Sequence, residues 1–278
     1  MRRIKSHTLT KLSYFKKYIS AYLNATKRVP EKYYIDAFAG SGKCILCDET
    51  YCHSKGGGRC IKCKKGKLED GSPLIVLKLK NTFTGYILIE LVRPIFSSLE
   101  DAIVNEVNPE RIEKIELIQG DSNRILESIY KRILYDSEYT SFLFFLDPEG
   151  PELYWKTIES LYHKKADLLI VYPYDMSLVR LIKNDKSKLD KFYGTPKWIK
   201  IYKSGINPSD SKNKLLNFYL ENIKKIGFKF VAYKQIRRRL REGKNLYHLI
   251  LASNYSVAVK IMDDIFNKEL DGQKKFKL

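Results

Sequence analysis

Proline is scarce in this chain, nine residues in 278, and the composition, 44% hydrophobic and 13% aromatic, excludes collagen-like, mucin-like and wholly disordered architectures. Long apolar runs are missing as well. The longest, Phe142 to Leu146 and Leu168 to Tyr172, fall far short of the roughly 20 residues that cross a bilayer, so no membrane-spanning helix is expected. The basic opening Met1 to Lys5 runs into an amphipathic pattern and not into an apolar segment with a small-residue cleavage site, so the chain reads as cytoplasmic. Cysteine is confined to one short segment, five residues within twenty, which leaves no disulfide framework along the chain. At this length none is needed to bury a core. Of four histidines, neither His163 nor His248 sits in a pattern that partners a nucleophile, and both read as structural.

Acidic residues are outnumbered 51 to 32, for a net charge of +19 at pH 7. The excess is concentrated. Residues 1 to 32 carry +8, and so do residues 224 to 244, where Arg237, Arg238, Arg239 and Arg241 cluster. Lysine used as a general solubiliser would not require clustered arginines, so a polyanionic partner, nucleic acid, is expected.

Hydrophobic periodicity lays out the rest. Leu12, Phe15, Ile19, Tyr22 and Leu23 recur at helical spacing between Thr8 and Asn24, with Lys11, Lys16 and Lys17 on the other face. Tyr33 to Phe38 reads as a strand ending in the glycine turn Ala39-Gly40-Ser41-Gly42. Pro73 to Lys80 reads as a helix capped by Ser72 with proline at its first position. Strands then alternate with helices: Tyr86 to Leu91, Arg93 to Val107, Ile115 to Gln119, Ser122 to Leu134, Phe142 to Leu146, Tyr154 to His163, Leu168 to Tyr172. That rhythm predicts an α/β fold, a Rossmann-like doubly wound and mostly parallel sheet. It breaks beyond Met176 in a Lys-rich stretch, read as an insertion over residues 176–210. A helix from Ser211 to Ile226 leads into strands Phe228 to Gln235 and Leu246 to Ala252, which have no helix between them and should form a C-terminal antiparallel hairpin. A last helix runs from Ser256 to Leu270. The whole reads as one domain, 1–278, with a second, cysteine-rich insertion at 43–71.

The cysteines fall as Cys44-x2-Cys47-x4-Cys52-His53-x6-Cys60-x2-Cys63. Two C-x2-C pairs twelve residues apart are a tetrahedral metal pattern, each pair offering two thiolates to one ion. Zinc on Cys44, Cys47, Cys60 and Cys63 is the first expectation, with Cys52 and His53 as alternates and an iron–sulfur cluster as the rival metal group. Four thiolates leave no open position, so such a metal would hold a loop and do no chemistry.

The turn Asp36-x-Phe38-Ala39-Gly40-Ser41-Gly42 is neither a Walker loop nor a dinucleotide fingerprint. Ala37 stands where the first needs its leading glycine, Cys44 where it needs a hydroxyl, and the second lacks its third glycine. Ile35-Asp36-Ala37-Phe38-Ala39-Gly40-Ser41-Gly42 resembles the first motif of class I S-adenosylmethionine-dependent methyltransferases, in the form found in many nucleic-acid methyltransferases. In such folds a ribose-binding acid follows about 20 residues after the turn. Glu90 follows Gly42 by 48 residues, and removing the 29 of the cysteine-rich segment leaves 19. The resemblance implies cofactor contacts by Asp36, Phe38, Gly40, Gly42 and Glu90, with Asp121 at the adenine amino group. It also implies an acceptor site at Asp147 and the carbonyl of Pro148. Glu149 and Gly150 depart from the Pro-aromatic pair that amino-methyltransferases carry there, which puts base-amine methylation in doubt.

A narrower resemblance covers nearly the whole chain. The opening His7-x3-Lys11-Leu12-x2-Phe15-x2-Tyr18, the glycine turn, Gly71-Ser72-Pro73, Phe145-Leu146-Asp147-Pro148-Glu149-Gly150, Phe192-Tyr193-Gly194 and Tyr247-His248-Leu249-Ile250-Leu251-Ala252-Ser253-Asn254 resemble the three-Cys-motif partner family, TcmP. That resemblance implies a methyltransferase-like fold and a partner protein with an iron–sulfur or radical-chemistry motif. The expected activity is S-adenosylmethionine-dependent methyl transfer to nucleic acid or a nucleic-acid-associated substrate. The alternative is a non-catalytic, zinc-containing nucleic-acid-binding partner protein.

Overall fold

Helix α1 (Ser6–Ala25) buries Leu12, Phe15, Ile19, Tyr22 and Leu23 while Lys16 and Lys17 stay exposed, as a 3.6-residue period requires. Lys11, expected on the outer face, is buried instead, which a long aliphatic stem allows. The computed structural model describes residues 2–4, 6–47, 66–129, 132, 139–174, 182, 185–237 and 245–275. Packing divides the chain into two compact units, Met1–Asp121 with Ile261–Leu278, and Ser122–Lys260.

In the first unit, strands β2 (Glu31–Asp36), β5 (Gly85–Glu90) and β6 (Ile115–Gln119) run parallel in the order β6-β5-β2. Between them lie helices α2 (Ser72–Leu77), α3 (Arg93–Glu106) and the short α4 (Pro109–Ile112). Strand β5 is buried at every position but its last, Glu90, the pattern of a strand covered on both faces. Phe15, Tyr22, Tyr34, Phe83 and Tyr86 pack as a ring cluster with centroids 5.6–6.2 Å apart. A separate three-stranded sheet, order β1-β3-β4, joins β1 (Arg2–Ile4), β3 (Lys43–Cys47) and β4 (Gly66–Asp70). Sequence periodicity did not mark these three strands, because none of the three carries an alternating apolar face of its own.

In the second unit, α5 (Ser122–Ile129) leads to the parallel strands β7 (Thr140–Leu146) and β8 (Ala166–Pro173), both buried throughout, with α6 (Trp155–Ser160) between them. Next come α7 (Lys186–Tyr193), α8 (Trp198–Lys203) and α9 (Pro208–Ile226). Strands β9 (Phe230–Arg237) and β10 (Asn245–Ser253) form the expected antiparallel hairpin, and β10 also pairs antiparallel with β8. Helix α10 (Ser256–Lys275) closes the described chain. Within the first unit the strand order is β6-β5-β2, and within the second it is β7-β8-β10-β9. Among the described residues no helix is long and apolar enough to cross a membrane.

Candidate functional site

Strand β2 ends on Asp36, a carboxylate with no exposed surface. A charge taken out of water needs hydrogen bonds in return. The hydroxyls of Tyr34 and Ser72 donate to its Oδ2 at 2.9 and 2.7 Å, and the Phe38 N–H to its Oδ1 at 3.3 Å. The Ser72 bond corrects a sequence expectation: Ser72 does not cap the helix, whose N-cap is Gly71 without a side-chain bond. Its hydroxyl is committed to the buried carboxylate. Asp36 thus shapes the turn from beneath.

Past Asp36 the chain turns through Gly40 (φ +66°) and Gly42 (φ +71°), backbone that a β-carbon disfavours by ~1–2 kcal/mol. The two glycines have different surroundings. A β-carbon on Gly42 would meet Ala102 Cβ at 3.1 Å and Leu99 Cδ1 at 3.2 Å, so Gly42 lets α3 close against the turn. One on Gly40 would meet nothing within 4 Å, so open space lies above Gly40.

Strand β5 delivers Glu90 to this turn. Ala39 N–H donates to Ile89 O at 2.9 Å, which carries the β2–β5 ladder into the turn. Gly40 N–H then donates to Glu90 Oε2 at 3.0 Å, and Val92 N–H to Glu90 Oε1 at 2.8 Å. One carboxylate bridges the glycine turn and the approach to α3, and each of its oxygens retains a second lone pair for a ligand. Gly120 N–H donates to Glu90 O at 3.0 Å, setting Asp121, half-buried, directly after the neighbouring strand. Arg93 Nη1 donates to Gln119 Oε1 at 3.2 Å across the same strand ends. The first unit therefore brings Asp36, Phe38, Gly40, Gly42, Glu90 and Asp121 to the carboxyl ends of three adjacent parallel strands, where open α/β sheets bind ligands.

The cysteine-rich segment grows out of this turn. Gly71 N–H donates to Gly42 O at 2.7 Å, and from there β3 and β4 pair antiparallel, Lys43 opposite Asp70 through Cys47 opposite Gly66. Four charges brace the root: Lys43 meets Glu106 at 2.5 Å and Asp70 at 3.4 Å, and Lys78 meets the same two acids at 2.6 and 2.9 Å. The hydrogen bond to Glu106 holds the Lys43 ammonium above its ordinary pKa, and the same bond, with that from Lys78, holds Glu106 below its own. Cys44 and Cys47 are buried within β3. A regular strand sends residues three apart to opposite faces, unlike a metal knuckle, which turns both sulfurs to one ion. Among the described residues no group of three or more His, Cys, Asp or Glu could hold a metal ion. Cys52, His53, Cys60 and Cys63 lie outside the described residues.

In the second unit, β7 ends at Leu146, followed by half-buried Asp147 and buried Pro148. Asn123, a residue that sequence reasoning missed, pins the loop that follows. Its Nδ2 donates to Glu152 O at 3.0 Å, and its Oδ1 accepts from Tyr154 N–H at 2.8 Å and the Thr157 hydroxyl at 2.9 Å. Nothing local distinguishes Asn123 in the sequence, because its partners lie about thirty residues away. Tyr172 and Tyr193, buried, share a hydroxyl–hydroxyl bond of 2.8 Å, and burial pushes both phenols well above their ordinary pKa. His248 is buried beside Tyr174 with ring centroids 4.5 Å apart, and burial pushes it down to about 4, as suits a structural histidine.

No family model matches the chain, and no curated protein matches it. Solved structures do. A Legionella pneumophila protein of the DUF519 family is similar at a TM-score of 0.53 and 16% identity, over 92% of this chain and 90% of that one. The methyltransferase domain of bacterial CtHen1-C follows at 0.43 and 12% identity, over 87% of this chain and all 100% of that one. Spermidine synthase from Thermotoga maritima is similar at 0.40 and 11% identity, over 84% of this chain and 56% of that one. At such identities the first likeness speaks for a shared fold alone, and the fold is the expected α/β sheet.

Proposed function

We propose that this chain is an S-adenosylmethionine-dependent methyltransferase that takes its cofactor at the Gly40 turn and acts on nucleic acid or a nucleic-acid-bound substrate. The observation that carries the reading is the bond from Gly40 N–H to Glu90 Oε2, 3.0 Å, beneath open space at Gly40. A glycine turn after one strand, joined to an acid at the end of the next, is the cradle that a nucleoside needs: bare backbone on one side and a diol acceptor on the other. Glu90 would accept from the ribose hydroxyls and Asp121 from the adenine amino group, while Asp36, Phe38 and Gly42 keep the turn in shape. The bound cofactor supplies the electrophilic methyl group. The chain aligns the acceptor and excludes water, and needs no nucleophile of its own.

Asp147 and the carbonyl of Pro148 are proposed to position the acceptor. Glu149 and Gly150 weigh against an exocyclic base amine as that acceptor, since they stand directly after Pro148 in place of the second proline and the aromatic residue that would stack on a base. The net charge of +19 and its clustered arginines support a phosphate-bearing substrate. Zinc on Cys44, Cys47, Cys60 and Cys63 is a separate proposal supported by spacing, and binding would require the Cys44–Cys47 segment to leave regular strand geometry. A three-Cys-motif partner protein is proposed on the resemblance alone.

Calorimetry with S-adenosylmethionine tests the central claim. Micromolar binding that Glu90→Ala abolishes is the expected result. Absence of heat at high protein concentration overturns it and leaves a basic binding module.

A further inference from the structure

We propose that the lysine layer formed by α7 and α8 is the surface that holds the substrate strand, and that this strand is single-stranded nucleic acid. The inference deepens the nucleic-acid part of the reading above and rests on it. Between residues 186 and 203 stand six lysines, Lys186, Lys188, Lys191, Lys197, Lys200 and Lys203, all exposed, against a single acid, Asp190. That acid is turned to structural use, its Oδ1 accepting from Trp198 Nε1–H at 2.7 Å and tying α8 to α7. Lys197, Lys200 and Lys203 follow one another at intervals of three and so share one helix face. Like charges at that spacing repel, and a polyanion laid along them relieves the repulsion while shedding its counterions.

The layer is fixed beside the proposed acceptor loop. Gly194, at φ +70°, ends α7 so close to Trp155 that a β-carbon would stand 2.4 Å from the indole Cδ1, so the corner between α7 and α8 is pressed onto the start of α6. Lys191 Nζ lies 5.2 Å from the centroid of the half-buried Tyr154 ring, at the end of the loop that begins with Asp147. An aromatic ring beside a track of lysines is the combination by which proteins hold unpaired strands, bases on rings and phosphates on cations. Chemistry on a nucleobase would also require that base outside a duplex stack. A lipid surface fits less well. Of the large apolar side chains of the layer, Leu189, Phe192, Tyr193 and Trp198 are buried and Ile199, Ile201 and Tyr202 half-buried, so α7 and α8 present no fully exposed one to a bilayer.

The full chain and its variant Lys197→Gln/Lys200→Gln/Lys203→Gln are titrated against fluorescein-labelled RNA and DNA single strands of about 20 nucleotides, their duplexes, and phosphatidylserine vesicles. Wild type is expected to bind a single strand more tightly than duplex or vesicle. Losing three phosphate contacts should lower the slope of log affinity against log salt by about 2 and weaken binding by ~100-fold near 0.1 M salt, with the circular dichroism spectrum unchanged. A wild-type salt slope in the variant, a preference for duplex, or a preference for vesicles overturns the inference. Cofactor calorimetry on both proteins keeps the two claims apart. Intact cofactor heat with unchanged strand binding in the variant sinks the surface alone, whereas no cofactor heat in wild type sinks the enzyme reading.

Discussion

Alanine placed at Gly40 and at Gly42, one at a time, separates the glycine beside open space, the proposed cofactor site, from the glycine packed against α3. Both positions are left-handed, φ +66° and +71°, so each variant carries the same backbone penalty, ~1–2 kcal/mol. Only Gly42 meets a wall. Ala102 Cβ and Leu99 Cδ1 would stand 3.1 and 3.2 Å from the new methyl, and both belong to α3, whose Leu99 is fully buried. Close-packed interiors give way little, and overpacking adds ~1–3 kcal/mol. Gly42→Ala should therefore lose ~2–5 kcal/mol and Gly40→Ala only ~1–2 kcal/mol. Urea unfolding followed by far-ultraviolet circular dichroism reads the difference. Tryptophan fluorescence does not suffice, because Trp155 and Trp198 both lie in the second unit. Amide exchange in β2 and β5 localises the loss. Cofactor calorimetry should run the other way: the Gly40→Ala methyl projects into the open space beside Glu90, and affinity should fall at least tenfold, about 1.4 kcal/mol. A Gly40→Ala protein that binds S-adenosylmethionine as wild type does, or that is the less stable of the two, refutes this account of the turn.

Asp167, buried and opposite Ser253, is the clearest source of pH-dependent stability. Burial pushes its carboxyl up to about 7 from 3.8, partly offset by the Ser253 hydroxyl bond. The folded state thus holds a proton that the unfolded chain releases, so the stability Asp167 contributes is complete below pH 3.8 and is lost as pH rises through 7. Asp167→Asn cannot ionise and should gain on wild type across that window, by on the order of 4 kcal/mol at pH 8; equal urea midpoints for the two proteins at pH 5 and pH 8 would contradict this. His248, lowered to about 4 by burial, slopes the opposite way, which is why the comparison is with the variant and not with wild type alone. Ser72→Ala strips a hydrogen bond from the buried Asp36 carboxylate and should cost about 1.5–3 kcal/mol, read as a lower urea midpoint with an unchanged m-value. For the cysteine hairpin, elemental analysis of the purified protein should find one zinc per chain, and an intact fold with neither zinc nor iron removes the metal proposal.

Much of the fold was legible because its signals are local. Strand β6 is bounded where periodicity put it, Ile115–Gln119, and the absence of any helix between β9 and β10 already implied their antiparallel pairing. Glu90 was legible as an arithmetic result, since subtracting one insertion restored the expected spacing. The cysteine segment was not. Its flanks fold as β3 and β4, with β1 alongside, because ladder bonds and the charges at the root recruit residues that look like loop when read alone.

The chain's own order of residues thus determined the α/β alternation, the glycine turn and the acids that end its strands, because a helix or strand period needs only neighbours a few positions away. Tertiary structure alone decided that Ser72 serves Asp36 thirty-six positions back, that Asn123 holds the loop at Tyr154, and that Gly40 is open where Gly42 is walled in. It likewise decided that Gly194 seats a row of lysines beside that same loop. Each of these is a contact between residues distant in sequence, and its free energy exists only once the intervening chain has folded and brought them within reach.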